Sequence, residues 1–396
     1  MNNCEDAVFW EKVDDSGAVV DKVLLLSCDP NRKAWNTVMG PLSDPSSRGA
    51  LWFYNIGGDA VGAPARPRRI TLEGYPESHD FHPLGLDIYP SHPGQPYSNL
   101  FVVNHARHNS TIEQFTLSWH EPDRAKWVRT VSGPELVAPN ALALTSPTSF
   151  YLTHDHRFTR RLPGVLGKTL PITESILALP LAWATHVNVT DTDTAPSYLH
   201  PDFTQPQPQS QSALTTTTKM HTETVASHIP FPNGVAISPD GTQLAIASTT
   251  LGEILFYARD IATQALSLRA RVPTPFAPDN IMYDSRGSLI VAGHPYFPAL
   301  VAVAANHTGA RAPSWVLSIT PSGAAATGAE TEGAWDVGAP VPASRKVPRV
   351  PGYEMRTLYQ SDGSEFSSSS TGLRDSRTGV LYVVGLYQDG LMVCSP

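Results

Sequence analysis

The chain has 396 residues, 41% of them hydrophobic and 16% charged, with a formal net charge of −8, 28 glycines and 36 prolines. This composition suits a turn-rich, all-β chain with an ample core. Nucleic acid is excluded as a partner because no basic stripe or aromatic-interleaved patch is present, and the run Val23-Leu24-Leu25-Leu26 is too short to cross a bilayer.

In chain order, KVLLLSC at 22–28 and ALWFYNI at 50–56 read as early strands, and Pro64 to Arg69 as a Pro/Arg linker. A recurring unit comes next: a polar residue, usually Asn, opens a short alternating strand, then come a turn and a second apolar strand. Its copies are HPLGLDIYP…NLFVVNH from His82, PNALALTSPTSFYLTHDH from Pro139, PNGVAISPDGTQLAIAST from Pro232 and PDNIMYDSRGSLIVAGHP from Pro278, with a degraded copy, STGLRDSRTGVLYVVGL, from Ser370. Between copies, 158–190 is the main helical candidate, with an apolar run through Ile176, Leu177, Leu179, Leu181 and Trp183 that Pro180 should break. The Pro/Gln/Thr-rich stretch 203–219 and the Ala/Gly/Thr/Pro-rich stretch 320–349 are expected to be flexible insertions.

Strand pairs at such spacing are blades of a β-propeller, since one four-stranded sheet cannot bury both its faces alone. The whole chain, 1–396, is expected to form one such domain. Equivalent positions of successive blades share a ring around the axis, and here that ring holds His82, Asn140, Asn233 and Asp279-Asn280. Amide and carboxylate oxygens converging from separate strands suit a hard cation, and calcium fits better than zinc, which wants clustered His or Cys. The ends of the second strands supply a parallel polar series, Asn104-His105, His154-Asp155-His156, Ser248 and His294, suggesting a site at the mouth of the tunnel.

These residues carry a resemblance to the serum paraoxonase/arylesterase family, calcium-dependent six-bladed propellers that hydrolyse lactones and aryl esters. The matching motifs are VVNHARHNSTIEQF at 102–115, PNALAL…FYLTHDHRF at 139–158, PNGVAISPDG at 232–241 and PDNI…GHP at 278–295, together with the Asn-Cys-Glu-Asp start at 3–6 and a cysteine near the C-terminus. The resemblance implies a catalytic calcium held by Glu5, Asn140, Asn233, Asp279 and Asn280, of which the ring argument reaches all but Glu5. It implies a structural calcium at Asp6, His105 as catalytic histidine, and Asp155, His156 and His294 as supporting or pocket residues. It also implies an apolar helix over the top face, giving peripheral membrane or lipid contact through 170–187. Two positions depart from the family: Ala141 stands where it has a second carboxylate for the structural ion, and Trp127 falls near the place of its second, pocket histidine.

The mechanism so implied is a carbonyl polarised by calcium and attacked by a water activated by His105, with Asp279 as second choice of base. A serine nucleophile is not indicated, because no G-x-S-x-G elbow occurs. Cys4, Cys28 and Cys394 allow one intrachain disulfide with one thiol left over. In the family a disulfide joins the termini. Cys394 stands where its C-terminal half would be, but the family's partner precedes the Glu-Asp pair, so the chain is expected to begin one strand late, with Cys4 as the alternative partner. No secretory signal is visible, yet sequons at Asn109, Asn188 and Asn306 fit the secreted or membrane-associated life of the family. The leading expectation is a calcium-dependent lactonase or arylesterase. The alternatives are a catalytically silent, calcium-pinned binding scaffold and a sugar-lactone hydrolase of the regucalcin/gluconolactonase type.

Overall fold

The computed structural model describes residues 1–57, 66–92, 94–191, 218–322 and 347–396. Six sheets stand in a ring as the blades of a β-propeller. The first blade is β1 (Cys4–Val13), β2 (Val19–Cys28), β3 (Ala50–Asn55) and β4 (Arg68–Arg69). The second is β6 (Pro83–Ile88), β7 (Tyr97–Asn104), β8 (Thr111–Ser118) and β9 (Glu121–Val131), with the short β5 (Thr71–Glu73) parallel to β9. The third comprises β10 (Pro139–Ser146), β11 (Ser149–His154), β12 (Ala182–Asp191) and β13 (Thr218–Ile229). The fourth comprises β14 (Pro232–Ile237), β15 (Gln243–Ser248), β16 (Glu253–Arg259) and β17 (Leu266–Pro273). The fifth has β18 (Ala277–Tyr283), β19 (Leu289–His294), β20 (Ser314–Pro321) and β21 (Tyr353–Ser361), and the sixth has β22 (Ser369–Arg374), β23 (Leu381–Gly385) and β24 (Met392–Cys394).

The strand sequences reflect position in the blade. A second strand such as β19, LIVAGH, is buried along its whole length because neighbouring blades cover both its faces, so its apolar residues run on without alternation. An outer strand such as β17 is mostly exposed and carries polar residues to match. Apolar clusters fill the six spaces between blades. Trp10, Phe53 and Phe115 meet between the first and second, Phe101 with Phe150 between the second and third, and Leu24 with Tyr382 and Val384 between the first and sixth. Truncating one of these aromatic rings to Ala costs about 3–5 kcal/mol.

Every inner strand begins with an irregularity at the same height. Pairing with the second strand slips between Cys4 and Asp6, Pro83 and Leu86, Pro139 and Leu142, Pro232 and Val235, Pro278 and Ile281, and Ser369 and Thr371. A β-bulge turns the extra residue out of the ladder and re-aims its side chain. The bulged positions are Glu5, Leu84-Gly85, Asn140-Ala141, Asn233-Gly234, Asp279-Asn280 and Ser370. Four of the blades therefore present polar oxygens toward the axis from one level. Gly234 is required at its bulge: a Cβ there would lie 2.7 Å from the Asn280 Cα and the Asp279 carbonyl.

At and below the bulges, side chains tie neighbouring blades together. Ser27 donates to the Leu84 carbonyl, Asp6 Oδ2 accepts the Leu86 N–H at 3.1 Å, and Asp87 Oδ2 accepts the Leu144 N–H at 2.8 Å. Thr153 donates to the Asn233 carbonyl and Thr249 to the Pro278 carbonyl, both at 2.7 Å.

Several expectations need correction. The helix is not where the apolar run lies: α1 is Gly164–Ile176, with Pro171 inside it, and Trp183 belongs to β12. The Gly167 carbonyl, which Pro171 leaves without its helical donor, accepts Arg160 Nη1–H at 3.2 Å. A second helix, α2 (Phe297–Ala304), was not foreseen. Arg68 and Arg69, placed in a linker, pair with Phe53 and Trp52. The stretches 203–219 and 320–349 lie mostly outside the described residues, while Thr218-Lys219 and Thr320-Pro321 belong to strands. The disulfide joins Cys4 to Cys28, directly opposed across β1 and β2, and Cys394 is a free thiol. The first and sixth blades meet without a covalent link, through Thr371 to Glu5 and Asp6 and through Asn3 N–H to the Gln388 carbonyl.

Candidate active site

The bulges open onto a cavity of about 1380 Å³ on the axis. Its floor carries Glu5, Asn140, Asn233 and Asp279. Its walls come from the loop 29–41, from His82, His105 and Asp155, and from one face each of α1 and α2. Helix α1 is held over this opening by its own polar residues: Glu174 accepts the N–H groups of Arg157 and Phe158 at 2.8 and 3.0 Å, and Ser175 Oγ meets His156 Nε2 at 2.6 Å. Ile172 and Ile176 face the cavity mouth and stay partly open to solvent, and Val165 and Leu166 at the start of the helix and Leu177 just past its end are also exposed.

Four oxygens at the floor are buried and have no hydrogen-bond partner: Glu5 Oε2, Asn140 Oδ1, Asn233 Oδ1 and Asn280 Oδ1. They come from four different blades. Two of the amides are oriented by what their nitrogens touch. Asn140 Nδ2 donates to Asp155 Oδ2 at 3.1 Å, and Asn280 Nδ2 donates to Glu5 Oε1 at 3.0 Å and to the Glu5 carbonyl at 3.1 Å. The carbonyl end of each is thereby left free. Burial drives the Glu5 carboxyl well above the usual carboxylate range, and the neighbouring carboxylates of Asp6 and Asp279 add to that rise.

Uncompensated carboxylates beside orphaned amide oxygens are the donor set of a hard divalent cation, and the residues present fit calcium. Among the described residues no three His, Cys, Asp or Glu side chains stand close enough to hold an ion by themselves, so an ion here draws on the amides. Asp6 is different. Its Oδ1 accepts the Ala7 N–H at 2.8 Å and the Thr371 hydroxyl at 3.0 Å, and its Oδ2 accepts the Leu86 N–H. With both its oxygens so engaged, and with Ala141 offering no carboxylate from β10, Asp6 does not fit a second ion.

The histidines separate by their partners. His105 Nε2 lies 2.7 Å from the Pro139 carbonyl and must donate to it, which leaves Nδ1 to accept the Thr37 hydroxyl at 2.8 Å. Burial lowers this ring to about 4, so it is neutral and weakly basic near neutral pH. His294 Nε2 lies 2.8 Å from Asp279 Oδ2, while its Nδ1 has no partner. His82 is fixed between Asp29 Oδ2 at 2.9 Å and the Pro45 carbonyl at 3.1 Å.

Two sequence-derived candidates stand apart from the cavity. His156 is fully buried behind α1, its Nδ1 3.2 Å from Asp155 Oδ1 but off the line of a hydrogen bond. Trp127, expected in the pocket, lies on β9, where its indole packs against Tyr75 and His79 and donates to Glu113 Oε2 at 3.3 Å. Thr37, Arg32 and α2 were missed. Each reaches the site through tertiary contact from a segment without strand periodicity; the long connection between β2 and β3 was the signal for Arg32 and Thr37, and that between β19 and β20 for α2.

Fold and site define a six-bladed propeller with an oxygen-lined cavity on its axis. Residues 41–188 match the model of the Arylesterase family, a likeness that agrees with the resemblance carried by the motifs. The serum paraoxonase/arylesterase 1 of Mus musculus is 28% identical over 255 residues, and that of Rattus norvegicus 26%, in each case covering 64% of this chain and 59% of the relative. Looser likenesses of the backbone path include a luciferin-regenerating enzyme (TM-score 0.46, 10% identity, 100% of this chain and 93% of that one). They also include a periplasmic gluconolactonase of Pseudomonas aeruginosa (TM-score 0.44, 12% identity, 98% and 80%). At such distances neither bears on what the site does.

Proposed function

We propose that this chain is a calcium-dependent hydrolase of lactones and aryl esters, with the ion held by Glu5, Asn140, Asn233, Asp279 and Asn280. The observation that carries this reading is the convergence of four buried, unpartnered oxygens from four blades at the floor of a deep cavity. A divalent cation bound there supplies a Lewis acid for a carbonyl oxygen.

The remaining chemistry belongs to the side chains. His294 turns Nε2 toward Asp279 on the cavity side while its Nδ1 is buried away from solvent, so Nε2, with Asp279 as its partner, is the nitrogen that takes a proton from water in this reading. The water oxygen bonds to the carbonyl carbon, the bond to the leaving oxygen breaks, and that oxygen recovers the proton from His294. His105, the first choice from sequence, has one nitrogen committed to Pro139 and the other to Thr37, so it shapes the wall as a neutral ring. Asp155 orients the Asn140 amide. Ile172, Phe297 and Leu300 exclude solvent from the reacting centre.

The Cys4–Cys28 disulfide and the exposure of Asn109, Asn188 and Asn306 support a secreted protein. The exposed apolar residues of 170–187 at the cavity mouth support peripheral lipid contact.

The test is hydrolysis of phenyl acetate and of a long-chain aliphatic lactone, with calcium and after chelation. Turnover is expected to vanish on chelation, and His294→Ala is expected to lower kcat by about 100-fold or more, with a smaller loss for His105→Gln. The reverse ranking would return the base to His105. No turnover in the unaltered protein, with calcium still raising Tm, would establish the silent scaffold instead.

A further inference from the structure

Arg32 is a charge that hydrolysis through His294 does not use. It sits in the loop after β2, lines the cavity and is only 6% exposed. Of its five N–H bonds, one from Nη2 reaches the Pro83 carbonyl at 2.8 Å, while Nε is buried without an acceptor. Among the described residues no carboxylate forms an ion pair with it. The nearest acidic neighbour in sequence, Asp29, spends its carboxylate on His82 and on the Asn31 N–H. The guanidinium nonetheless shares the cavity with Glu5 and His105, all three lining it. The charges of Glu5 and Asp279 are those a divalent ion neutralises, so they do not serve as its counter-ions.

A buried guanidinium without a partner is costly, and the cost is removed only by an anion arriving from the one open side, the cavity. Arg160 and Lys168 also line the cavity and add to its positive field. A planar fork of N–H groups matches a carboxylate. We propose that Arg32 binds a carboxylate carried by the substrate, making the preferred substrates lactones or esters that bear a second, ionised carboxyl group near the scissile bond. This deepens the hydrolase reading and rests on it for the reacting group, while the anion site itself does not. The apolar wall formed by Trp35, Ile172 and Phe297 takes the uncharged part of such a molecule.

The test compares γ-butyrolactone bearing a γ-carboxylate with its γ-carboxamide, which has the same shape and no charge. The calcium-loaded protein is expected to favour the carboxylate in kcat/KM by at least about 10-fold. Arg32→Met should collapse that ratio toward one, mainly through KM, and Arg32→Lys should keep part of it. In parallel, calorimetry with glutarate reads the anion site without turnover: binding should be lost in Arg32→Met and largely retained in Arg32→Lys. Equal use of the two lactones, or an equal fall for both in Arg32→Met, overturns the proposal. So does glutarate binding that ignores Arg32. Arg32-dependent glutarate binding in a protein that hydrolyses neither lactone upholds the anion site and sinks the hydrolase reading.

Discussion

The axis of this propeller has two polar layers, and they are built to opposite rules. In the upper layer, Glu5, Asn140, Asn233 and Asn280 each leave a buried oxygen without a donor. In the layer beneath, Asp6, Asp87 and Thr153 are as polar and nearly as deep, yet their hydrogen bonds run across to the next blade. Polar burial alone therefore does not mark a site. The lower layer holds the blades in register, whereas the upper layer is unstable until something outside the chain completes it.

The contrast breaks if the two layers respond alike to the loss of a carboxylate. Glu5→Gln is expected to weaken calcium binding by about 100-fold or more, read by titration calorimetry, with hydrolysis falling in step. Asp6→Asn, one residue away, should instead act on folding, lowering stability by about 1–3 kcal/mol in chemical denaturation while affecting calcium affinity far less. A comparable loss of affinity from Asp6→Asn would show that the lower layer also serves the ion.

The disulfide sharpens the same contrast, because it clamps the strand end that carries Glu5. Cys4→Ser should cost about 3 kcal/mol, the value for a closed loop of this size, whereas Cys394→Ser should stay within about 0.5 kcal/mol. Equal effects in thermal denaturation would mean that the free thiol matters to closure.

The smallest effect concerns Asp87. Some of the residue remains accessible, but the protein packed round its carboxyl governs the ionisation and pushes it up to about 7. A carboxyl raised on folding stabilises the protonated form. Its contribution is complete below the ordinary carboxylate range, near pH 4, and is lost as pH rises through about 7. Asp87→Asn should flatten the dependence of stability on pH across that window, and an unchanged slope would remove Asp87 as its source.

Much of the upper layer was legible in the chain because a blade repeats. Asn140, Asn233 and Asp279-Asn280 come after a proline at the same phase, and the phase is that of the bulge. What did not repeat was harder to place. Trp127 was assigned by its distance along the chain from matched motifs, and on an outer strand that distance says nothing about the axis. The Cys4–Cys28 bond was readable in hindsight: two ten-residue strands joined by the turn at 14–18 bring these cysteines opposite each other. Arg32 and Thr37 sit in a loop whose course is set by packing against the top of the ring, and no periodicity points to them. The proposed base, His294, was present in the sequence as a strand-end histidine, but only the geometry showed it paired with Asp279 on the cavity wall.

Glu5 touches Asn280 across a sequence separation of 275 residues and Thr371 across 366. During synthesis β1 must therefore wait for nearly the whole chain before its acidic residue meets its neighbours. Contacts of such separation form late and slowly, so the site is assembled by the final step of ring closure. Metal affinity in a refolding experiment would then act as a clock for that step, staying silent through the formation of separate blades and rising only when the last of them docks against the first.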